Sequence, residues 1–567
     1  MSTVDWVVLV LTLLSIVLFG IIKGKGQNNI DSYLLAGKQL PWYHVLLSVM
    51  ATQASAITFL SAPGQAYTDG MRFVQFYFGL PLAMIVLSMT FIPVFHNLRV
   101  FTAYEFLEKR FDLKTRRLTA FLFLIQRGIS TGISIYAPSI ILSTLLHINI
   151  QITTLIIGTL VIVYTVYGGS RAVSYTQVLQ MGVIFLGMLS AGIIVLNSLP
   201  QGVTFNTALH IAGDAGRMNV IDLNFDWNNR YNLWSGIIGG FFLQLSYFGT
   251  DQSQVGRYLT AHSIKQSRMG VLMNGILKIP MQFLILLLGI LVFVFYQFNT
   301  PPVFFNETEV NKIEQSAFNR EYQSLKTNFI EVSKQKEATV VALADAYSLN
   351  NAAEIEVGRA RFKTKFLETE LARKKSIDFM QQHHAALDKN DGNYIFLTFV
   401  MKHLPQGLIG LLIAVIFLAS MGSLASGLNA LASASIIDIY KRSINKNASD
   451  KRYLNASRLA TFGWGVFCIL AALFAGKVGN LLEAVNVLGS LFYGTILGIF
   501  IVAFYVKKIS GNAVFISACI TELFVIYCWY FDVMAFLWLN VLGCVLVVFI
   551  AGAIEIISTK IVSQPQK

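Results

Sequence analysis

The stretch Ala419-Ser420-Met421-Gly422-Ser423-Leu424-Ala425-Ser426-Gly427-Leu428-Asn429 sets hydroxyls into an otherwise apolar run. Ser423 and Ser426 are three residues apart, so on a helix they share one face. Hydroxyls beside backbone carbonyls suit a hard cation such as sodium and bury no full side-chain charge. The alternative for this stretch is close helix packing, with each hydroxyl bonded to the preceding turn. Two more stretches place small and polar residues mid-way along apolar runs. One is Ala51-Thr52-Gln53-Ala54-Ser55-Ala56, followed by Pro63-Gly64; the other holds Gln244, Ser246, Tyr247, Gly249, Thr250, Asp251 and Gln252. Such residues let a membrane helix unwind, which is tolerated where the freed carbonyls meet an ion, a solute or water.

The elements that must position these groups are membrane spans. Of 567 residues, 55% are hydrophobic and only 13% charged, about half the charge of a soluble domain. Apolar runs long enough to cross a bilayer recur almost end to end. This excludes a soluble enzyme, a nucleic-acid binder and a disulfide-stapled secreted domain. The four cysteines fall in apolar segments without metal-ligand spacing. The pattern predicts an all-α protein of the cell membrane with thirteen spans, near 4–23, 44–67, 74–96, 117–145, 150–167, 174–197, 233–255, 270–298, 407–440, 456–475, 480–505, 512–531 and 534–557. The first reads as a mature helix, because Asp5 stands where a leader would be basic.

The net charge of +13 follows from topology. With the N-terminus outside and the C-terminus inside, twenty-three Lys and Arg fall in inner segments. Only Arg72, Arg217, Arg230 and Lys477 fall in short outer loops. Residues 300–393 break the pattern, being polar and charge-rich, with a stripe at Phe318, Tyr322, Leu325, Phe329 and Val332 and a second helical stretch through Phe362, Phe366 and Leu371. They read as an outward helical hairpin, either a solvated insertion or a docking surface for a protein partner. The divisions are 1–43 (N-terminal helix and inner loop), 44–197 (first five spans), 198–299 (start of a second five), 300–393 (insertion), 394–505 (rest of the second five) and 506–567 (two helices and a tail). The two interrupted spans open successive five-span units, the layout expected of an inverted repeat.

Several motifs carry a family resemblance. They are Tyr33-Leu34-Leu35-Ala36-Gly37-Lys38-Gln39-Leu40-Pro41-Trp42, Tyr167-Gly168-Gly169-Ser170-Arg171-Ala172-Val173 with Tyr175-Thr176-Gln177-Val178-Leu179-Gln180, Tyr247-Phe248-Gly249-Thr250-Asp251-Gln252 with Arg257, and Leu404-Pro405-Gln406-Gly407-Leu408-Ile409-Gly410 through Asp438-Ile439-Tyr440-Lys441. The chain resembles the sodium/solute symporter family, which contains the sodium/glucose, sodium/iodide, multivitamin and monocarboxylate cotransporters. The resemblance implies the leucine-transporter-type 5+5 inverted-repeat fold with flanking helices.

It also implies sites. The family's main sodium site maps onto the carbonyls of Ala51, Ala54 and Ala419 and onto Gly422 and Ser423. Gly422 cannot supply the first of its two hydroxyls, so weaker sodium affinity is expected, with water, solute or Ser55 completing the shell. A second sodium site of some relatives maps onto Gln177, Ala425 and Ser426, where no acid stands; it is expected to be lost, leaving one sodium per solute. Solute contacts map onto Gln53, Thr58, Tyr77, Gln244, Tyr247, Phe248, Lys278 and Glu483, from spans 2, 3, 7, 8 and 11. Lys278 leans toward sugar carriers and Ser55-Ala56-Ile57 toward the anion and vitamin branch. Arg127 reads equally as a contact for an anionic solute or as a cap on helix-end carbonyls. Asp251 and Asp438 read as partners of Arg257 or Lys441. The expected activity is sodium-driven import of a small polar solute across the lipid bilayer. The alternatives are a solute sensor that keeps a transporter fold and uses the insertion to bind a partner, and a membrane enzyme, for which no nucleophile–base pair or metal triad is present.

Overall fold

The computed structural model describes residues 1–24, 30–146, 148–384, 387, 389–475 and 480–562; Lys25, Lys477 and Lys567 of the charge count lie outside them. Ten helical segments among the described residues are long and apolar enough to cross a membrane, and the chain is a multi-pass membrane protein. The predicted second span is divided into α3 (Trp42–Gln53) and α4 (Ala56–Asp69), after α1 (Thr3–Gly24) and the short α2 (Ile30–Leu35). A 3-10 stretch, Gly70–Tyr77, leads to α5 (Leu80–Met89), α6 (Phe91–Asn97) and α7 (Tyr104–Arg110), then to α8 (Leu113–Leu146). The predicted fifth and sixth spans are two helices that follow one another directly, numbered together as α9 (Ile150–Asn197) and parted at Gly169, whose φ of 57° and ψ of 179° are not helical and suit glycine alone.

After α10 (Phe205–Asp214), a π-helical turn at Ser235–Gly239 runs into α11 (Gly240–Thr250), which stops at Asp251 before α12 (Gln252–Tyr258). Then come α13 (Ile264–Phe298), α14 (Glu307–Glu314), α15 (Asn319–Ser348), α16 (Ala352–His383) and α17 (Gly392–His403). The last group is α18 (Leu408–Ser433), which continues as a π-helical stretch over Ala434–Ile444, followed by α19 (Asp450–Phe474), α20 (Leu481–Tyr505), α21 (Gly511–Tyr530) and α22 (Phe536–Val562).

Burial sorts these helices. The most enclosed, α18, packs against α1, α3, α4, α8, α9 and α19. Its N-terminal amides at Gly407 and Gly410 donate to Asp5 Oδ1 of α1 at 2.7 and 3.2 Å, a carboxylate at a helix's positive end. At the rim, Leu11, Leu14 and Leu18 of α1 project outward at helical spacing, as a lipid-facing stripe should. All four cysteines are free.

The basic loops gather at one end of the bundle. Arg116 pairs with Asp438 and Glu108 at 2.7 Å each, and Arg442 Nε donates to Glu108 at 2.6 Å. Burial works to raise the Glu108 pKa, yet hydrogen bonds from Arg442 and Arg116 hold it below the ordinary carboxylate value. Asp438 was expected beside Lys441. On the π-helical stretch Asp438 instead faces α8, while Lys441 reaches over the rings of Phe101 and Tyr453.

At the other end, α15 and α16 form the antiparallel hairpin expected of the insertion. The expected stripe holds at Tyr322 and Phe329, then continues through Ser333, Lys336 and Val340. Phe318 stays exposed against His383, and Leu371 points outward because α16 buries Phe362, Phe366, Thr369, Ala372 and Ser376 instead. Burial lowers the Lys336 pKa to about 8; its Nζ donates to Tyr296 O at 2.9 Å.

Candidate functional site

The break between α3 and α4 is visible in its hydrogen bonds. In a continuous helix the Ser55 and Thr58 amides would donate to the Ala51 and Ala54 carbonyls. Here Ser55 N donates to Gln53 O at 3.1 Å and Thr58 N to Ser55 O at 2.9 Å. Both carbonyls therefore lose their helical donors at the negative end of α3. Ser55 occupies the N-cap of α4, yet its side chain makes no capping bond and it lines a central cavity. Helix α18 packs against both α3 and α4. Ser423 Oγ donates to Ser420 O at 3.1 Å, which leaves its oxygen lone pairs free for a cation. A Cβ on Gly422 would lie 2.6 Å from Gln180 Oε1, so glycine lets the Gln180 amide approach.

Gln177 of α9 fills the neighbouring space. Its Nε2 lies 3.2 Å from Thr52 Oγ1, 3.1 Å from Gly422 O and 3.0 Å from Ser426 Oγ, and its Oε1 accepts from Ser48 Oγ at 2.5 Å. Ser426 Oγ donates to Gly422 O at 2.9 Å. An amide nitrogen thus sits among three oxygens and ties α9 to α3 and α18. Ala425 is fully buried and brings no oxygen from its side chain.

The central cavity, of about 90 Å³, brings together Gln53, Thr58, Tyr77, Gln244 and Tyr247 of the expected solute contacts. Three fall outside its lining. Phe248 is buried behind Tyr247, ring centroids 4.9 Å apart. Lys278 is fully buried behind Tyr77, its Nζ 5.6 Å from that ring's centroid. Glu483 pairs with Arg230 beyond the cavity. The lining comes from spans 2, 3, 4, 7 and 11, with α8 where α13 was expected, since Tyr77 stands between Lys278 and the cavity. Gln126, Asn486 and Tyr493 are lining groups absent from the expected set; Arg127, read as a solute contact or a cap on helix-end carbonyls, also lines the cavity. Oε1 of Gln53 and Gln126 and both amide atoms of Gln244 have no partner among the described residues.

Polar locks close both ends. At one, Arg127 Nε donates to Asp251 Oδ2 at 3.0 Å; Tyr493 Oη donates to the same oxygen at 2.7 Å and accepts from Arg127 Nη2 at 2.9 Å. Asp251 was expected to pair with Arg257 or Lys441. The stop at Asp251 turns its carboxylate to α8, while Arg257 is buried further along α12 with Nε and Nη1 unpartnered among the described residues. At the other end, Asn480 Nδ2 donates to Gln65 Oε1 and Arg230 pairs with Glu483.

A family model described as the sodium:solute symporter family matches residues 33–322 and 369–521. The chain belongs to this family. The match breaks inside the hairpin. Among symporter relatives, the sodium-dependent multivitamin transporter of Oryctolagus cuniculus is 27% identical over 509 residues, covering 88% of this chain and 66% of that protein. The sodium/iodide cotransporter of Homo sapiens is 31% identical over 280 residues (49% and 42%), and its sodium-coupled monocarboxylate transporter 1 is 33% identical over 251 (44% and 41%). The matched part spans just under two thirds of the first and less than half of the other two. A Na+-coupled sialic acid symporter, solved in a substrate-bound outward-open state, shares the fold with a TM-score of 0.75 at 22% identity, covering 98% of each chain.

Proposed function

We propose that this chain is a sodium-coupled symporter that imports a small polar solute, a sugar or an organic or vitamin-like anion, by alternating access. The break between α3 and α4 carries this reading. It leaves the Ala51 and Ala54 carbonyls without helical donors, on helices packed against the one that bears Ala419 and Ser423. Sodium bound there would tie α3 and α4 to α18, and its release would loosen that tie. Each charge entering down the membrane potential contributes ~2.3 kcal/mol per 100 mV. One sodium per solute is supported by Gln177, whose amide nitrogen takes the place of a second ion among Thr52, Gly422 and Ser426.

We read residues 44–197 and 198–505, insertion aside, as the two inverted five-helix repeats of a thirteen-span protein. Each repeat opens on a broken helix, at Ala54 and at Asp251. The gathered basic loops support an inner face at that end, with the N-terminus outside. A cavity of about 90 Å³ holds a few waters, whereas solute sites run to roughly 300 Å³ or more. Binding therefore requires one lock to open: Arg230–Glu483 with Asn480–Gln65 outside, or Arg127–Asp251–Tyr493 inside. The unpartnered Oε1 atoms of Gln53 and Gln126 and the unpartnered amide of Gln244 suit a solute with several hydrogen-bonding groups.

The test is uptake into sealed proteoliposomes across a panel of sugars, monocarboxylates and vitamins, with and without an inward sodium gradient. Accumulation that requires the gradient is expected. Uptake indifferent to it would mean a facilitator, and no uptake of any solute would favour the sensor.

A further inference from the structure

The hairpin is folded down onto the transporter body. Tyr347 Oη donates to Asp214 Oδ2 at 2.6 Å, Arg359 Nε lies 2.6 Å from Asp214 Oδ1, and the Tyr347 ring stacks on His210, so its outer part grips α10. Lower down, Val340, Leu343, Phe362 and Phe366 join the main apolar core. Phe366 reaches furthest in function. Its ring packs edge-on to Phe293 of α13 at 5.8 Å, and the Arg217 guanidinium lies 5.3 Å from the Phe293 centroid and 5.8 Å from that of Phe366.

Arg217 lines a second cavity of about 460 Å³, together with Gln65, Asp69, Arg72, Arg230 and Tyr231. This vestibule lies next to the Gln65–Asn480 lock, two turns along α4 from Thr58 of the central cavity. Three of the four basic residues in short outer loops converge on it. Two are committed: Arg72 lies 4.0 Å from Asp222, and Arg230 pairs with Glu483. Arg217 has no carboxylate within 4 Å among the described residues and its Nε is unpartnered. Asp69, which accepts from Gln65, is the remaining charge of the lining; it and Glu370 are the carboxylates whose fields reach Arg217. An aromatic pair holding a guanidinium by its faces leaves the N–H edge free to bind a carboxylate.

We propose that the insertion forms a wall of the solute entrance. Phe366 is a positioning residue that clamps Arg217 toward the vestibule, where Arg217 receives the carboxylate of an incoming solute whose hydroxyl or amino group turns to Asp69. The outward direction and the passing solute rest on the symporter reading; the clamp does not. Phe366 falls in the segment, 323–368, that the family match omits, so this device belongs to this chain rather than to the family's shared framework.

The test is labelling of the purified full chain carrying Asn228→Cys, an exposed position on the vestibule lining. Of the native cysteines in α19, α21 and α22, Cys468, Cys528 and Cys544 are buried and Cys519 is half-buried. The probes are the anionic sulfonatoethyl and the cationic trimethylammonioethyl methanethiosulfonates. Arg217→Gln is expected to lower the anionic-to-cationic rate ratio about tenfold, Phe366→Ala severalfold, and Phe366→Tyr to restore it, with no change for Leu349→Ala, 72% exposed at the hairpin tip. A ratio unmoved by Arg217→Gln would overturn the vestibule charge, and one unmoved by Phe366→Ala would overturn the clamp. Labelling needs no transport, so either outcome stands apart from the uptake result. With a transported carboxylate, Phe366→Ala should raise KM and leave sodium activation unchanged; an unchanged KM would refute the entrance role.

Discussion

The two helix breaks are alike in position and opposite in chemistry. At Ala54 the chain ends α3 with carbonyls stripped of their helical donors, and no charged side chain among the described residues is bonded to them. At Asp251 the break is answered from within. The carboxylate caps α12 by accepting from Ser253 N at 2.8 Å and is bound in turn by Arg127 and Tyr493. The Thr250 carbonyl accepts from Tyr104 Oη at 2.9 Å. A break that exposes negative ends suits a mobile cation. A break filled with fixed charges is a lock, whose opening costs the pairing of both ions.

The largest effect should come from unbalancing the filled break. Asp251→Asn leaves the Arg127 guanidinium enclosed without its counter-charge, and stranding one partner of a buried pair costs about 3–5 kcal/mol. Thermal unfolding in detergent should fall accordingly and uptake should be lost; a variant as stable as the parent would mean this break is not held by its ion pair. At the open break the change is smaller and of opposite sign. Gly422→Ser adds a hydroxyl next to Ser423 and should lower the sodium activation constant severalfold, because the one close contact of its Cβ is the yielding end of Gln180, Gln177 Cγ lying at an ordinary 3.4 Å. An unchanged constant would remove Gly422 from the site. Smallest is an effect remote from both breaks. Lys336 has a pKa of about 8 in the docked hairpin against an ordinary 10.5, with Glu337 and Glu370 opposing the burial that lowers it. The undocked form keeps its proton up to the higher value, so raising pH from 7 toward 10 favours docking. Protease resistance of the hairpin should rise over that range in the parent and stay flat in Lys336→Met.

Sequence carried the all-helical, many-span character of the chain, with ten long apolar helices among the described residues against thirteen expected spans, and the places where helices break, because both are local. Apolar length marks the spans, and small polar runs mark the unwinding at Ala54 and Asp251. It carried less of what surrounds the breaks. The partner of Asp251 lies 124 residues away, and no spacing rule connects Arg127 to it. Lys278 occupies a helix position that faces inward, yet sequence does not show that the Tyr77 ring stands in front of it. Leu371 departs from expectation for a related reason: the stripe of α16 is set by the packing of α15 and the body, not by its own periodicity. Gln177 was legible as the loss of an acid, but its binding of Thr52, Gly422 and Ser426 required three helices to be seen together.

Whether sodium sits at the α3–α4 break is decided by equilibrium binding of radioactive sodium to the purified protein, comparing Ser423→Ala with Ser426→Ala. The two hydroxyls are one turn apart on α18, but Ser426 is held by Gln177 and Ser423 is not. Ser423→Ala is expected to bind sodium about tenfold more weakly and Ser426→Ala to bind it nearly as the parent does. Parental binding by Ser423→Ala, or loss confined to Ser426→Ala, would contradict a sodium ion at the α3–α4 break.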